Sequence, residues 1–324
     1  MELSITGANA ITYPVMHVWD WRVAVYLFLG GMSGGLMSMS AINYIRSKKG
    51  PVDSACSWQI PVMAPILLAI GLFFLNLDLS RPFHAFWFYL AFKPVSPMSW
   101  GAWLVLAIFP LMILYALSAL PNAVKAKIKH AGLRGFADKM QPHLLKLAKA
   151  NFLAGILLAI YTGILLSSLV ARPLWNSAIL PMLFLCSGMS AGAAVMIMVA
   201  KTKETKLFFT KVDIWLIIAE LTILLLFFYG HYTGDAAHRQ AIMPFFSTSH
   251  DFFPYFLSIV IIGVALPLAI VLKFLEVTGE HTDELTASGL MLMNASAVLV
   301  LIGSAIIRFA MVYAGQLSGY GGYM

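Results

Sequence analysis

Apolar runs about 20 residues long recur eight times along the chain, separated by short polar stretches, and a run of that length suffices for an α-helix to cross the hydrocarbon layer. The pattern predicts spans at 22–45, 58–77, 98–120, 146–170, 178–200, 212–232, 253–275 and 287–314. The expected fold class is an all-α membrane protein of eight transmembrane helices, a single integral membrane domain over 1–324. Its first half, 1–145, carries helices one to three and a basic loop; 146–170 is helix four; 171–324 carries helices five to eight.

The charges between the runs give the orientation. Fifteen of the 21 Lys and Arg fall at one end of the helices: Arg46, Lys48 and Lys49 in the first loop, a larger group from Lys125 to Lys149 in the third, Lys201 to Lys211 in the fifth and Lys273 in the seventh. Arg22, Arg81, Lys93, Arg172, Arg239 and Arg308 lie near the other end. Basic loops stay in the cytoplasm, so an even number of crossings puts both termini on the extracytoplasmic side.

An internal repeat is visible as well. Gly31-Met32-Ser33 in helix one recurs as Gly188-Met189-Ser190 in helix five, an offset of 157 that also carries Asp78 onto Asp235. Each acid follows an even-numbered helix at its outer end, with a base close behind it. Either the match is a coincidence of a few residues, or two related four-helix bundles face each other about a pseudo-twofold axis along the membrane normal. The small residues Gly30, Gly31, Gly34, Gly35, Gly188 and Gly192 are expected to bring helices into close approach.

Composition narrows the function classes. With 60% hydrophobic residues, 11% charged residues and a positive mean hydropathy, this is no soluble domain. The net charge of +7 resides in short clusters between apolar runs, the signature of membrane topology rather than of nucleic-acid binding. Cys56 and Cys186 lie far apart with no CxxC spacing, so the sequence encodes neither an iron–sulfur cluster nor a structural zinc. The first residues lack the basic region and short apolar core of a cleaved signal, and helix one is expected to stay attached.

The unusual polar residues converge on the outer face. His17, Asp20, Arg22 and Tyr26 open helix one; Asp78, Arg81 and His84 close helix two; Trp100 opens helix three; Tyr161 lies in the outer half of helix four; His231, Asp235, His238 and Arg239 follow helix six; Arg308 sits in the outer half of helix eight. Aromatics here also suit an interfacial belt, but ionisable groups at membrane depth are costly and mark pairs or functional sites. Ring-stacking surfaces, hydrogen-bond donors and acid–base groups at a membrane rim suit a lipophilic molecule that carries electrons and protons, a quinol. Haem needs facing histidine pairs within the spans, and of the eight histidines only His231 falls in one, so intrinsic haem is not expected.

YLFLGGMSGG in helix one, DLSRP after helix two, SPMSWGAW opening helix three, YTGILL in helix four, RPLW after it and RFAMVYAGQ in helix eight together resemble the NrfD/PsrC family of polysulfide-reductase-type membrane subunits. The resemblance implies a haem-free subunit of the bacterial cytoplasmic membrane that exchanges electrons between menaquinone and an extracytoplasmic ferredoxin-like [4Fe–4S] subunit. A catalytic molybdopterin subunit or a multihaem cytochrome would complete the complex. Carried over by motif, Tyr161 matches the family's quinone-bonding tyrosine, Arg239 and Arg308 match arginines near the pocket, and Asp78 with Arg81 fits an acid–base pair for proton acceptance or site geometry. The family's helix-one Asn and His fall at Arg22 and Tyr26, a departure that leaves either Tyr26 or His17 as the donor there. Trp100 completes the expected quinone contacts.

Glu220, mid-helix six, and Asp213, two turns further in, are either protonated structural acids or the start of a proton path to the quinone site. The rival classes are a proton-coupled transporter, which needs a path open to both sides, and a passive anchor without a quinone. The terminal electron acceptor and the direction of electron flow belong to other subunits.

Overall fold

The computed structural model describes residues 19–47, 54–79, 81–278 and 287–319. Every regular element among them is helical: α1 (Trp21–Ser47), α2 (Ser54–Asp78), a 3₁₀ turn (Pro82–His84), α3 (Phe86–Leu90), α4 (Pro97–Ala119), α5 (Asn122–Lys125), α6 (Ala131–Met140), a second 3₁₀ turn (Gln141–His143), α7 (Leu144–Ser167), α8 (Leu180–Val199), α9 (Lys203–Thr233), α10 (Ala236–Phe246), α11 (Phe253–Ser258), α12 (Leu266–Thr278) and α13 (Ala287–Leu317). Eight helices among the described residues are long and apolar enough to cross a membrane. They are α1, α2, α4, α7, α8, α9, the continuous α11–α12 and α13, matching the eight expected spans to within a few residues except at the start of α9.

Glycine sets the close approaches. α1 is the central helix, packed on α2, α7, α8 and α13, and α8 is its counterpart, packed on α1, α7, α9 and α13. A Cβ on Gly34 would lie 2.6 Å from the Gly155 carbonyl oxygen of α7, and one on Gly188 would lie 2.7 Å from the Gly31 carbonyl oxygen. At Gly35 a Cβ would stand on the Gly188 carbonyl oxygen of α8, and Gly192 returns the contact against Gly35. The backbones of α1, α7 and α8 therefore touch. The remaining packing runs from α2 to α4, α4 to α7, α8 to α9 and α12 to α13 and α9.

Hydroxyls near these crossings bond to neighbouring helices, as small polar residues do in lipid. Ser33 Oγ donates to the Ala64 carbonyl of α2 at 2.6 Å, and Ser190 Oγ donates to Asp213 Oδ1 of α9 at 2.5 Å. Two apolar clusters flank the crossing, one around Leu36, Ile60, Leu158 and Phe209 and one around Leu27, Phe184, Phe227 and Ile307.

Between α11 and α12 the backbone takes a π-helical turn, Ile259–Ala265. Pro267 has no N–H for the Gly263 carbonyl, so the regular ladder cannot continue there. Gly263 also meets Gly303 of α13 so closely that a Cβ on Gly303 would collide with its Cα.

Candidate functional site

At the start of α1, Asp20 caps the helix, with Oδ1 accepting from the Arg22 backbone N–H at 2.8 Å. The same carboxylate grips the Arg22 side chain through Nε at 2.7 Å and Nη2 at 2.6 Å. This guanidinium holds the Asp20 carboxyl below the usual carboxylate range. Arg22 also reaches the end of α2, donating to the Leu77 carbonyl at 2.5 Å, with Nη2 3.7 Å from Asp78 Oδ1. Asp20, Arg22 and Asp78 thus form one cluster. Arg81, expected beside Asp78, is exposed and makes no ion pair among the described residues; the turn after α2 carries it away while Arg22 supplies the base.

One turn along the same face of α1 lies Tyr26, 5% exposed, whose ring shares the space beside Gly30 with Thr162, the α7 residue next to Tyr161. Tyr161, on α7 and 6% exposed, donates its hydroxyl to the Pro97 carbonyl at the first turn of α4 at 3.0 Å. The fit leaves no room: a Cβ on Gly101 would fall on the Tyr161 hydroxyl. Gly101 is thus the glycine of SPMSWGAW because a phenol occupies its side-chain position. Ser99 fastens the preceding loop, donating to the Ala91 carbonyl at 3.1 Å and accepting from the Lys93 backbone N–H at 3.0 Å.

Arg22, Tyr26, Asp78 and Tyr161 therefore come together along α1, whereas other expected residues go elsewhere. Trp100 is 54% exposed and bonds its own loop, from Nε1 to the Pro94 carbonyl at 2.6 Å. Arg239, on α10, is exposed and folds back on Tyr232, donating Nε to its carbonyl at 3.1 Å. His17 lies outside the described residues.

Arg308 belongs to a second network, between α8, α9 and α13. It is fully buried, its Nη1 donating to Ser187 Oγ at 2.6 Å, Ser304 Oγ at 2.7 Å and the Ser304 carbonyl at 2.8 Å, and its Nη2 to the Phe184 carbonyl at 3.2 Å. Its guanidinium lies over the Phe184 ring and fills the space where Gly31 has no side chain. Asp213 accepts from Ser190 Oγ, and Glu220 is buried two turns further along the same face of α9. A line of buried polar groups runs from Asp213 through Glu220 to Arg308.

Ser187 and Ser304 are partners that sequence reasoning did not single out, and Asp20, placed at the outer face, was not recognised as the partner of Arg22. An Asp two residues before an Arg at a helix start is a readable cap signal; nothing in the sequence marks which serines face an arginine two helices away. The RPLW element is structural: Arg172 donates Nη1 to the Gln316 and Ser318 carbonyls, each at 2.9 Å, and Trp175 donates Nε1 to the Met311 carbonyl at 2.6 Å. The side chain of Gln316 in turn pairs with the Trp19 backbone amide and carbonyl, each at 2.8 Å. His231 is buried with both ring nitrogens near carbonyls, Nδ1 2.9 Å from Phe227 and Nε2 3.2 Å from Pro173. Among the described residues no group of three His, Cys, Asp or Glu is arranged to hold a metal ion.

A bundle of this kind, with buried ionisable groups between its helices and an acid–base cluster at one end, is that of a multi-pass membrane protein. Residues 9–318 match the family described as "Polysulphide reductase, NrfD", and the protein belongs to that family. It is 32% identical to the C subunit of polysulfide reductase from Wolinella succinogenes, the match spanning 92% of this sequence and 94% of that one. Protein NrfD of Escherichia coli is 28% identical over 93% of this sequence and 96% of its own length. An Hdr-like menaquinol oxidoreductase integral membrane subunit from Archaeoglobus fulgidus is 24% identical over 90% of this sequence and 68% of its own length. The family consists of membrane subunits of respiratory oxidoreductases.

Proposed function

We propose that this protein is the membrane anchor and menaquinol-oxidising subunit of a respiratory oxidoreductase complex in the bacterial cytoplasmic membrane, and that its quinone site is the outer end of α1, α2, α4 and α7. The observation that carries this reading is the cluster at the outer ends of α1, α2 and α7: the Asp20 and Asp78 carboxylates bridged by the Arg22 guanidinium, with buried Tyr26 one turn further along α1 and buried Tyr161 on the neighbouring α7.

Each group has work to do in a two-electron, two-proton oxidation. The Tyr161 oxygen, its proton already donated to Pro97, accepts from a quinol hydroxyl without breaking any existing bond. A quinone carbonyl would instead be bonded by the Tyr161 proton turned away from Pro97, and this reading takes the reduced form as the bound reactant. Asp78 is the proton acceptor, taking the two protons one after the other and passing each to the outer solvent, and Arg22 holds the two carboxylates as Asp78 loses its charge and regains it. The two electrons leave to an extracytoplasmic ferredoxin-like [4Fe–4S] subunit, with a molybdopterin or multihaem subunit beyond it. The name of the A. fulgidus relative, menaquinol oxidoreductase, supports the choice of quinol.

The two halves are related four-helix bundles in this reading. α1–α2–α4–α7 and α8–α9–α12–α13 repeat the same neighbour relations, and Gly31 meets Gly188 as Gly35 meets Gly192, each residue against its own counterpart at offset 157. A residue that touches its own counterpart lies beside a twofold axis. The Asp213–Glu220–Arg308 line belongs to the second bundle alone and is the path by which protons are coupled to turnover.

The test is direct. The native complex, purified and extracted, should yield menaquinone and co-purify with an iron–sulfur partner; a complex that oxidises an artificial donor but contains no quinone and ignores added quinol would reduce this protein to a passive anchor.

A further inference from the structure

The segment from α5 to the start of α7 is built unlike the rest of the inner face. α6 is ten residues long, AGLRGFADKM, and holds two glycines around which a Cβ would meet nothing within 4 Å. Glycine is the poorest helix former after proline, and a helix this short is marginal in water on its own. Its attachment to the protein is slight: Ala137 is buried, and Asp138 Oδ1 accepts from the buried Lys125 Nζ at 3.0 Å. Most of its surface is left for something outside the protein to cover.

The helical wheel shows what that is. Leu133, Phe136, Ala137 and Met140 share one face by their i, i+3, i+4, i+7 spacing, yet Leu133 and Phe136 are 41% and 43% exposed. Arg134 and Lys139 flank this face on its two sides, and Asp138 lies on the opposite side, turned to Lys125. Lys127, Lys129, Lys146 and Lys149 are exposed on either side of the helix, and Asp138 is the only acid between 125 and 149. α4 and α7 tether both ends of the segment at the same membrane surface. An apolar stripe bordered by cations and held at that level is the arrangement of a helix lying in the headgroup layer.

We propose that α6 is an interfacial helix that binds anionic phospholipid, with Leu133 and Phe136 in the acyl boundary and the surrounding Lys and Arg on the lipid phosphates. The occupant follows from charge: six exposed cations surround a helix whose one acid is already neutralised by Lys125. The bilayer is thereby part of the folded structure of this loop.

The experiment uses the full-length protein in nanodiscs of phosphatidylcholine alone or with about one third phosphatidylglycerol, and reads backbone hydrogen exchange over 131–140, with α10 as an internal comparator. In the anionic discs α6 should exchange at least about tenfold more slowly than in the neutral ones, and α10 should not change. The combined variant Lys127→Glu, Lys129→Glu, Arg134→Glu, Lys139→Glu should abolish the difference, each single reversal removing part of it, of the order of fivefold for a charge near an anionic surface. Inorganic phosphate added to neutral discs should give no protection. Equal exchange in both lipids, protection that survives the charge reversals, or protection by phosphate alone would each overturn the proposal.

Discussion

A phenol has one proton to give and two lone pairs with which to receive, and Tyr161 has given its proton to Pro97. If its oxygen accepts from bound quinol, Tyr161→Phe keeps the ring against Gly101 and removes that contact together with the bond to Pro97. The quinol contact is a neutral hydrogen bond, so its loss should cost about 0.5–1.5 kcal/mol, or roughly 2- to 12-fold in quinol-dependent turnover. Activity with an artificial donor that reduces the iron–sulfur partner directly should survive, and unchanged quinol turnover would remove Tyr161 from the site. Gly101→Ala should be at least as severe, because its Cβ would occupy the place of the hydroxyl. Asp235 offers a separate check. Its carboxylate accepts from the backbone N–H of His238 at 2.9 Å and from the ring at 2.6 Å, which holds its pKa below the usual value. A depressed carboxyl stabilises the fold above the unfolded pKa near 4, and that contribution is lost as the pH falls through the folded value. Asp235→Ala should cost about 0.5–2 kcal/mol at neutral pH, nearer the lower bound for so exposed a cap, and a melting difference from the parent that fails to shrink on acidification would contradict this. At this scale Tyr161, Asp78 and Arg22 stand out as candidates because ionisable and aromatic groups at a membrane rim are rare in an apolar sequence. The partners do not: whether Asp78 faces Arg81 or Arg22, and whether Arg308 faces a quinone or Ser187, depends on helix rotation, which residue type does not encode.

Helix contacts carry the next level. Gly34, Gly35, Gly188 and Gly192 let the backbones of α1, α7 and α8 touch, so one methyl group at Gly35 has to separate α1 from α8. Gly35→Ala should therefore lower the thermal stability of the detergent-solubilised protein by about 1–3 kcal/mol or more, the cost of overpacking against backbone that cannot yield. Gly132→Ala, in α6 with open space around it, should do the opposite and raise local helix stability by roughly 0.5–1 kcal/mol. Equal effects of the two changes would mean that the α1–α8 approach is looser than described. The glycines were visible in sequence as a repeated motif, and close approach is what small residues in apolar helices imply. The start of α9 was not visible: the expected span begins at 212, but the helix runs from Lys203, because Lys206 is buried with its Nζ 2.5 Å from the Ile197 carbonyl and Phe209 is packed in the core. A rule that reads lysine as the edge of the hydrocarbon fails where protein rather than lipid surrounds it. The short helices α6 and α10 escaped for a similar reason, since about ten residues of mixed character give no membrane-length run.

For the molecule as a whole, the eight spans were readable because a bilayer forces every backbone polar group to be satisfied within its own helix, leaving an uninterrupted apolar run as the trace. Orientation rests on a different force, the retention of basic loops in the cytoplasm, and it can be tested without reference to any quinone. Thirteen of the 19 basic residues among the described ones gather at one end of the bundle, among them Arg46 at the end of α1 and the cluster from Lys125 to Lys149, while the Asp20–Arg22–Asp78 cluster and Tyr161 lie at the other end. A topology reporter fused after Met324, and another inserted at Thr248 in the turn between α10 and α11, should both read extracytoplasmic. A third at Lys129, between α5 and α6, should read cytoplasmic. The Thr248 insertion is the more demanding, because it follows directly from the outer end of α9 and avoids α10 itself. Should Thr248 and Met324 read cytoplasmic with Lys129 outside, the carboxylate pair would face the cytoplasm. Protons from quinol would then be released on the wrong side to contribute to a membrane potential, and the iron–sulfur partner would have to be sought inside the cell.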